Sequence, residues 1–170
     1  MVNYDFEKDE QKLELTKLNE KAENAVTIAT AAAIATGAAP IPFADAPALI
    51  AEQVTLMATI CGIYGINIGK DGLKMLAFAV IGTGGATIVG KTIVASVLKL
   101  VPGLGSLAGG MLSAGTAGIV TYAMGMSFIN ICKMVKMGKL SEADLTTDKV
   151  KNMMKKDFKK FAEEKKMKEK

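Results

Sequence analysis

"MLAFAVIGTGGATIVGKT", residues 75–92, supports two readings that lead to different folds. Its last eight residues fit the phosphate-loop pattern G-x-x-x-x-G-K-[ST], in which loop amides turn inward around phosphates, Lys reaches the outer phosphates and Ser or Thr holds magnesium. If "MLAFAVI" is a buried strand feeding such a loop, the chain is an α/β nucleotide-binding protein. If it is the start of a helix, the fold is all-α. Periodicity in so short an apolar run does not separate the two, so the surroundings must decide.

The surroundings oppose the nucleotide reading. The four middle positions are Ala86, Thr87, Ile88 and Val89, and β-branched residues resist the positive φ angles of a phosphate nest. After Thr92 no carboxylate occurs before Glu142, and no apolar strand ends in an Asp that would hold magnesium. The segment therefore reads as a Gly-containing bend between helices, with Lys91 reaching a polar edge. No nucleotide or other cofactor is expected.

The chain is 170 residues long, enough for one domain with appendages. Half of it is apolar, but Trp is absent and aromatics make up only 5%, so Ala, Gly, Met, Ile, Val and Leu carry the hydrophobicity and suit closely packed helices. Histidine is absent, which excludes every enzyme mechanism that needs one and removes the commonest metal ligand. Cys61 and Cys132 form no CxxC or Cys/His set and read as buried free thiols. No catalytic residue and no metal ligand is assigned. The opening "MVNYDFEKDEQKLEL" is charged rather than signal-like, so a cytoplasmic location is expected.

Charge is distributed unevenly. Residues 1–23 carry seven acids against four lysines, and residues 133–170 carry thirteen lysines against seven acids. Between them, from Asn24 to Cys132, only Asp45, Glu52, Lys70, Asp71, Lys74, Lys91 and Lys99 are charged, so this stretch requires burial in protein or lipid. Every basic residue is lysine, and the lack of arginine argues against nucleic acid as a partner.

Along the chain, residues 5–23 read as an amphipathic helix with Leu15, Leu18, Ala22 and Ala25 on one face. Asn24 is expected to cap a separate alanine-rich helix that stops at Gly37 and the prolines of "APIPFADAP". Asp45 is placed to cap a helix from Ala46 to Gly65, with Pro47 in its first turn. A helix cap and a paired or snorkelling side chain explain Asp45 and Glu52 without invoking paired catalytic carboxylates. "GINIGKDG" is a loop, and "VPGLG" at 101–105 a turn. Residues 106–132 are uncharged and long enough to span a bilayer, which needs about 20 residues. Small residues four apart, Gly105 with Gly109 and Gly110 with Ala114 and Gly118, mark a face for close helix packing. After "GKLSEADLTTD" a last helix over 148–168 sets Val150, Met154, Phe158 and Phe161 on one side and lysines elsewhere. That helix has two readings: adhesion to anionic membrane or to a partner through Lys151, Met154, Lys155, Phe158, Lys159 and Phe161, or a solvated helix lying on the acidic N-terminal one.

The stretch "AAAIATGAAPIPFADAPALIAEQVTLMATICGIYGINI", followed by "GTGGATIVGKTIVASVLKLVPGLGSLAGG" and "TYAMG", resembles an uncharacterised helical domain family. Members commonly sit C-terminal to small Ras-like GTPase domains in bacteria, and some are membrane-associated. The resemblance covers about residues 28–132 and is carried by the "PIPFAD" corner with Pro40, Pro42 and Asp45, by "GTGGATIVGKT" with Gly85, Gly90 and Lys91, and by "LVPGLG". It implies an all-helical fold in which the glycine-rich segment belongs to the domain after the GTPase. This chain has a short acidic helix where such relatives carry a GTPase, so a nucleotide switch would act in trans.

The expected architecture is an all-α compact bundle of helical hairpins with Gly/Ala-rich packing and charged amphipathic helices at both termini. It divides into residues 1–23, an apolar core domain over 24–134, and a basic tail over 135–170. The expected function is non-enzymatic membrane association on the cytoplasmic side, with membrane lipid, a separate GTPase or a second copy as partners. The alternatives are a soluble interaction or oligomerisation domain and, more remotely, nucleotide binding through residues 85–92.

Overall fold

The computed structural model describes residues 2–37, 46–81 and 114–168, and in these the protein is all-α. The described residues form five α-helices: α1 (Val2–Gly37), α2 (Ala46–Tyr64), α3 (Lys70–Ile81), α4 (Ala114–Lys136) and α5 (Asp148–Lys168), with a 3₁₀ turn at Glu142–Thr146 before α5. "MLAFAVI" belongs to α3, so the run before the phosphate-loop pattern is a helix and not a strand. Residues 85–92 themselves lie outside the described residues, as do Pro40, Pro42, Asp45, Gly105, Gly109 and Gly110.

The first helix corrects one expectation. Asn24 starts no new helix, because α1 runs unbroken through it for 36 residues, about 54 Å at the usual rise. The apolar stripe continues across that point, with Leu15, Leu18, Ala22, Val26, Thr30 and Ala33 turned inward at spacings of three and four, while Asn24 is exposed. Polar character changes at Asn24, but helical phase does not.

Helix α4 is the centre of the bundle and packs against α1, α2 and α5. Against α1 it runs antiparallel: Gly118 meets Ile34, Gly125 meets Val26, and Lys136 pairs with Glu14 at 3.5 Å. A Cβ added at Gly118 would lie 2.6 Å from Ile34 Cγ1, and one at Gly125 would collide with Val26. These two glycines, seven apart and so on one helix face, set how closely α1 and α4 approach. Gly118 was among the packing candidates. Gly125 was not.

Helix α2 runs parallel to α4, with Gln53 beside Thr121 and Leu56 beside Gly125, and antiparallel to α1, where the Tyr64 hydroxyl donates to Asn19 Oδ1. Burial pushes the Tyr64 hydroxyl well above its usual range, so it stays a donor. Cys61 and Cys132 are buried free thiols on α2 and α4; hydrogen bonding to Cys61, with burial, keeps the Cys132 thiol protonated and inert. Gly65 (φ +68°) ends α2 and Gly138 (φ +69°) ends the turn after α4, and Ile66 N–H to Cys61 O and Lys139 N–H to Met134 O close Schellman-type caps. Helix α3 begins beside the 3₁₀ turn, where Gly72 sits close to Thr146, and returns along α2. Helix α5 packs on α4 and α3, antiparallel to α4, with Asn130 donating to Asp157 and Tyr122 meeting Phe161 edge to face.

One end of the bundle therefore collects Gly37, Ala46, Ile81, Ala114 and the C-terminal turns of α5. The other end holds the α2–α3 loop and the α4–α5 connection, latched by Asn67 N–H to Glu142 Oε1 at 2.9 Å. Beyond it α1 projects past the end of α4, and this overhang, residues 6–13, is exposed throughout.

A Gly125→Val substitution forces a branched side chain into the α1–α4 contact and is expected to cost about 1–3 kcal/mol, read as a lower thermal midpoint by circular dichroism; an unchanged midpoint would show that the helices do not meet there. At the latched end, hydrogen bonds from the backbone N–H of Ser141 and then from its hydroxyl hold the Asp144 carboxyl below the usual carboxylate range. A depressed pKa stabilises the fold above the unfolded value and loses that contribution as pH falls through the folded value. Asp144→Ala should therefore lower the melting temperature near neutral pH, and the gap to the parent protein should close as the solution is acidified below about pH 4.

Candidate functional site

The surface has two poles. In the overhang of α1, Phe6 and Leu13 are 69% and 57% exposed among Glu7, Asp9, Glu10 and Glu14. At the opposite pole α1 is uncharged from Asn24 to Gly37, and its Ile28 is 71% exposed. Lys165, Lys166 and Lys168 of α5 lie at this same pole, level with the first turns of α4, where Lys165 Nζ sits 5.5 Å from the centre of the Tyr122 ring. The segments attached at this pole, residues 38–45 and 82–113, contain only three charges in sequence, Asp45, Lys91 and Lys99.

The residues singled out on α5 divide by face. Met154 and Phe158 point inward and are fully buried with Val150 and Ala162, so they hold α5 to the bundle and are not surface contacts in this fold. Phe161 is half-buried against Tyr122. Lys151 and Lys155 are half-buried, Lys151 being held 3.0 Å from Asp148, and Lys159 is exposed. Of the two readings of this helix, neither membrane adhesion nor packing on the acidic N-terminal helix names the neighbours it has: it packs on α4 and α3.

A long apolar helix is present: Gly115–Lys136 is long and apolar enough to cross a membrane. Its most apolar window is 67% buried inside the bundle, which makes it the core helix of the described fold.

Between the uncharged half of α1 and α2, whose one charged residue is Glu52, runs a groove of about 710 Å³. Ala25, Ala29 and Ala32 form one wall and Ala51, Thr55 and Thr59 the other. The threonines add little polarity, because Thr55 and Thr59 donate their hydroxyls to the carbonyls of Ala51 and Thr55 in their own helix, and Thr36 at the rim does likewise with Ala32. Gln53 lies at the floor, fully buried; its Nε2 donates to Thr121 Oγ1 at 3.1 Å while its Oε1 has no partner. Sequence reading missed this groove, since no motif marks alanines that two helices bring together.

The family comparison covers most of the chain. The model of a domain of unknown function, DUF697, matches residues 5–161. The chain belongs to this family. The match reaches beyond residues 28–132, so both the acidic helix and most of the basic one are part of the DUF697 domain. The chain is also 30% identical over 112 residues to Magnetosome membrane protein 22 of Magnetospirillum gryphiswaldense, covering 64% of this chain. It spans 55% of the length of that relative. No solved structure matches.

The unpaired Gln53 carbonyl gives a stability test. Gln53→Met combined with Thr121→Val removes one hydrogen bond, worth about 0.5–1.5 kcal/mol, together with a buried unpaired oxygen that costs about 1–3 kcal/mol, and leaves no orphan hydroxyl behind. The variant is expected to melt at the same temperature as the parent or higher. A clear loss of stability would show that the amide is retained for folding and not for the groove.

Proposed function

We propose that this DUF697 protein is a non-enzymatic helical module that attaches to the cytoplasmic face of a membrane by its uncharged, lysine-tipped pole. The observation that carries the reading is convergence at one pole. The ends of α1 and α3 and the starts of α2 and α4 share it with Lys165, Lys166 and Lys168, and the sequences that join those helices, 38–45 and 82–113, are nearly uncharged. Apolar sequence supplies the hydrophobic part of membrane adhesion, and lysines near anionic headgroups add about 1 kcal/mol each. The acidic overhang of α1 points the other way, which suits an anionic surface because it keeps like charges apart. A relative named as a magnetosome membrane protein supports the same reading.

A GTPase acting in trans is the finer form of this proposal, implied by the family resemblance. Its docking surface would be the overhang, where Phe6 and Leu13 stand exposed. Those same side chains favour a second reading, a soluble interaction or oligomerisation domain. Recovery without detergent as a monodisperse species that ignores vesicles would decide for it.

Flotation with vesicles tests the first reading. The protein is expected to float with phosphatidylglycerol vesicles and less with phosphatidylcholine. Reversing Lys165, Lys166 and Lys168 to Glu should weaken binding at least tenfold, more than reversing Lys151, Lys155 and Lys159. Reversing Lys8 and Lys12 at the opposite pole should leave it unchanged. Equal flotation of all these variants would overturn the assignment of the membrane-facing pole.

A further inference from the structure

Ile28 is the most exposed large apolar side chain among the described residues, at 71%, and it stands at the edge of the groove between α1 and α2. With Ala31 and Ala35, both exposed, it makes an outward stripe at spacings of three and four. The inward stripe of the same helix runs through Val26, Thr30 and Ala33, so the bundle itself is held without Ile28. The surface around Ile28 can be dried at little cost. The hydroxyls of Thr36, Thr55 and Thr59 donate within their own helices, so covering them strands no donor. Gln53 is fully buried beneath the floor and plays no part in the surface. Glu52, at the rim, is the one charge that residues 24–37 and α2 carry, and alanine loses no side-chain entropy when it is covered.

We propose that this face binds a second copy of the chain, with Ile28 of each copy seated in the groove of the other. A knob and a hole side by side on one face are self-complementary, which is what an isologous contact requires. A two-fold axis along the groove lays α1 of one copy against α2 of the other. Because α1 and α2 run antiparallel within a copy, the pairs formed across the axis are antiparallel as well, with their dipoles opposed. The same axis sets the two Glu52 carboxylates on opposite sides of the contact. The area suits a reversible dimer. Residues 24–37 extend about 21 Å, and two helices 8–10 Å apart present roughly 400 Å² in projection over that length, more in accessible surface. Two copies therefore bury on the order of 1,000 Å² in total, the threshold of a specific contact and short of a permanent one. Lipid covers apolar surface of any shape, whereas a second copy is the occupant that a knob beside a groove fits. Both lysine-tipped poles point the same way in this dimer, so the contact is compatible with a membrane and does not rest on one.

Sedimentation equilibrium of the full chain, free of detergent and vesicles, tests the contact. A monomer–dimer equilibrium is expected, with a Kd of roughly 1–100 μM. Ile28→Glu places a charge at an exposed position and should raise Kd at least tenfold, with an unchanged circular dichroism spectrum at dilution. Ala32→Leu fills the groove from a position open to solvent and should weaken the dimer likewise. Phe6→Glu, on the acidic overhang, should leave Kd as it is. The proposal is overturned if the protein stays monomeric up to about 1 mM, if either groove variant dimerises like the parent, or if Phe6→Glu costs as much as Ile28→Glu. A monomer whose vesicle binding falls on Ile28→Glu also overturns it, and gives the face to lipid.

Discussion

The fold depends on how closely α1 and α4 approach one another. Gly118 and Gly125 remove the side chains that would hold these helices apart, and Ile34 and Val26 of α1 fill the space. Close approach gains dispersion contacts along the seam and seats α4 deep enough to be covered on its other sides by α2 and α5. The core is then assembled around α4, with Met124, Phe128, Ile129 and Ile131 fully buried. An apolar helix long enough for a bilayer becomes an interior element because three neighbours supply what lipid otherwise would.

The same antiparallel register produces the polarity of the molecule. Helix α1 is longer than its partner, so fixing Gly118 at Ile34 and Lys136 at Glu14 leaves its acidic start projecting beyond the bundle. The uncharged half of α1 is thereby set beside the start of α2, and both face outward where the groove forms. Because α5 runs back along α4, its lysine-rich end returns to that pole. Charge segregation along the chain, which on its own says little about shape, becomes segregation in space. That is the physical basis for reading one pole as membrane-facing.

Helix α5 shows how a residue list can be right in pattern and incomplete in meaning. The spacing of Val150, Met154 and Phe158 marks an apolar face, and that face exists. Whether it meets lipid, a partner or the rest of the chain depends on what else is free to cover it, and α4 and α3 cover it. The lysines on the remaining faces keep their solvent exposure to different degrees, with Lys159 open and Lys151 drawn to Asp148. The chemistry of the helix was legible, and its orientation was not.

The sequence by itself determined the all-α class, the start of α2 at Ala46, the turn at Gly65, the span of α5 and the buried state of both thiols, because capping, glycine conformation and apolar spacing act over a few residues. Periodicity left "MLAFAVI" between two readings, the lack of a carboxylate to hold magnesium turned it to helix, and α3 is that helix. Tertiary structure alone continued α1 through Asn24, whose polar side chain interrupts composition but not the inward stripe. It alone set Gly125 against Val26 and joined the alanines of α1 to those of α2 around Gln53. Those features belong to pairs of helices distant in sequence, and no local pattern encodes which faces will meet.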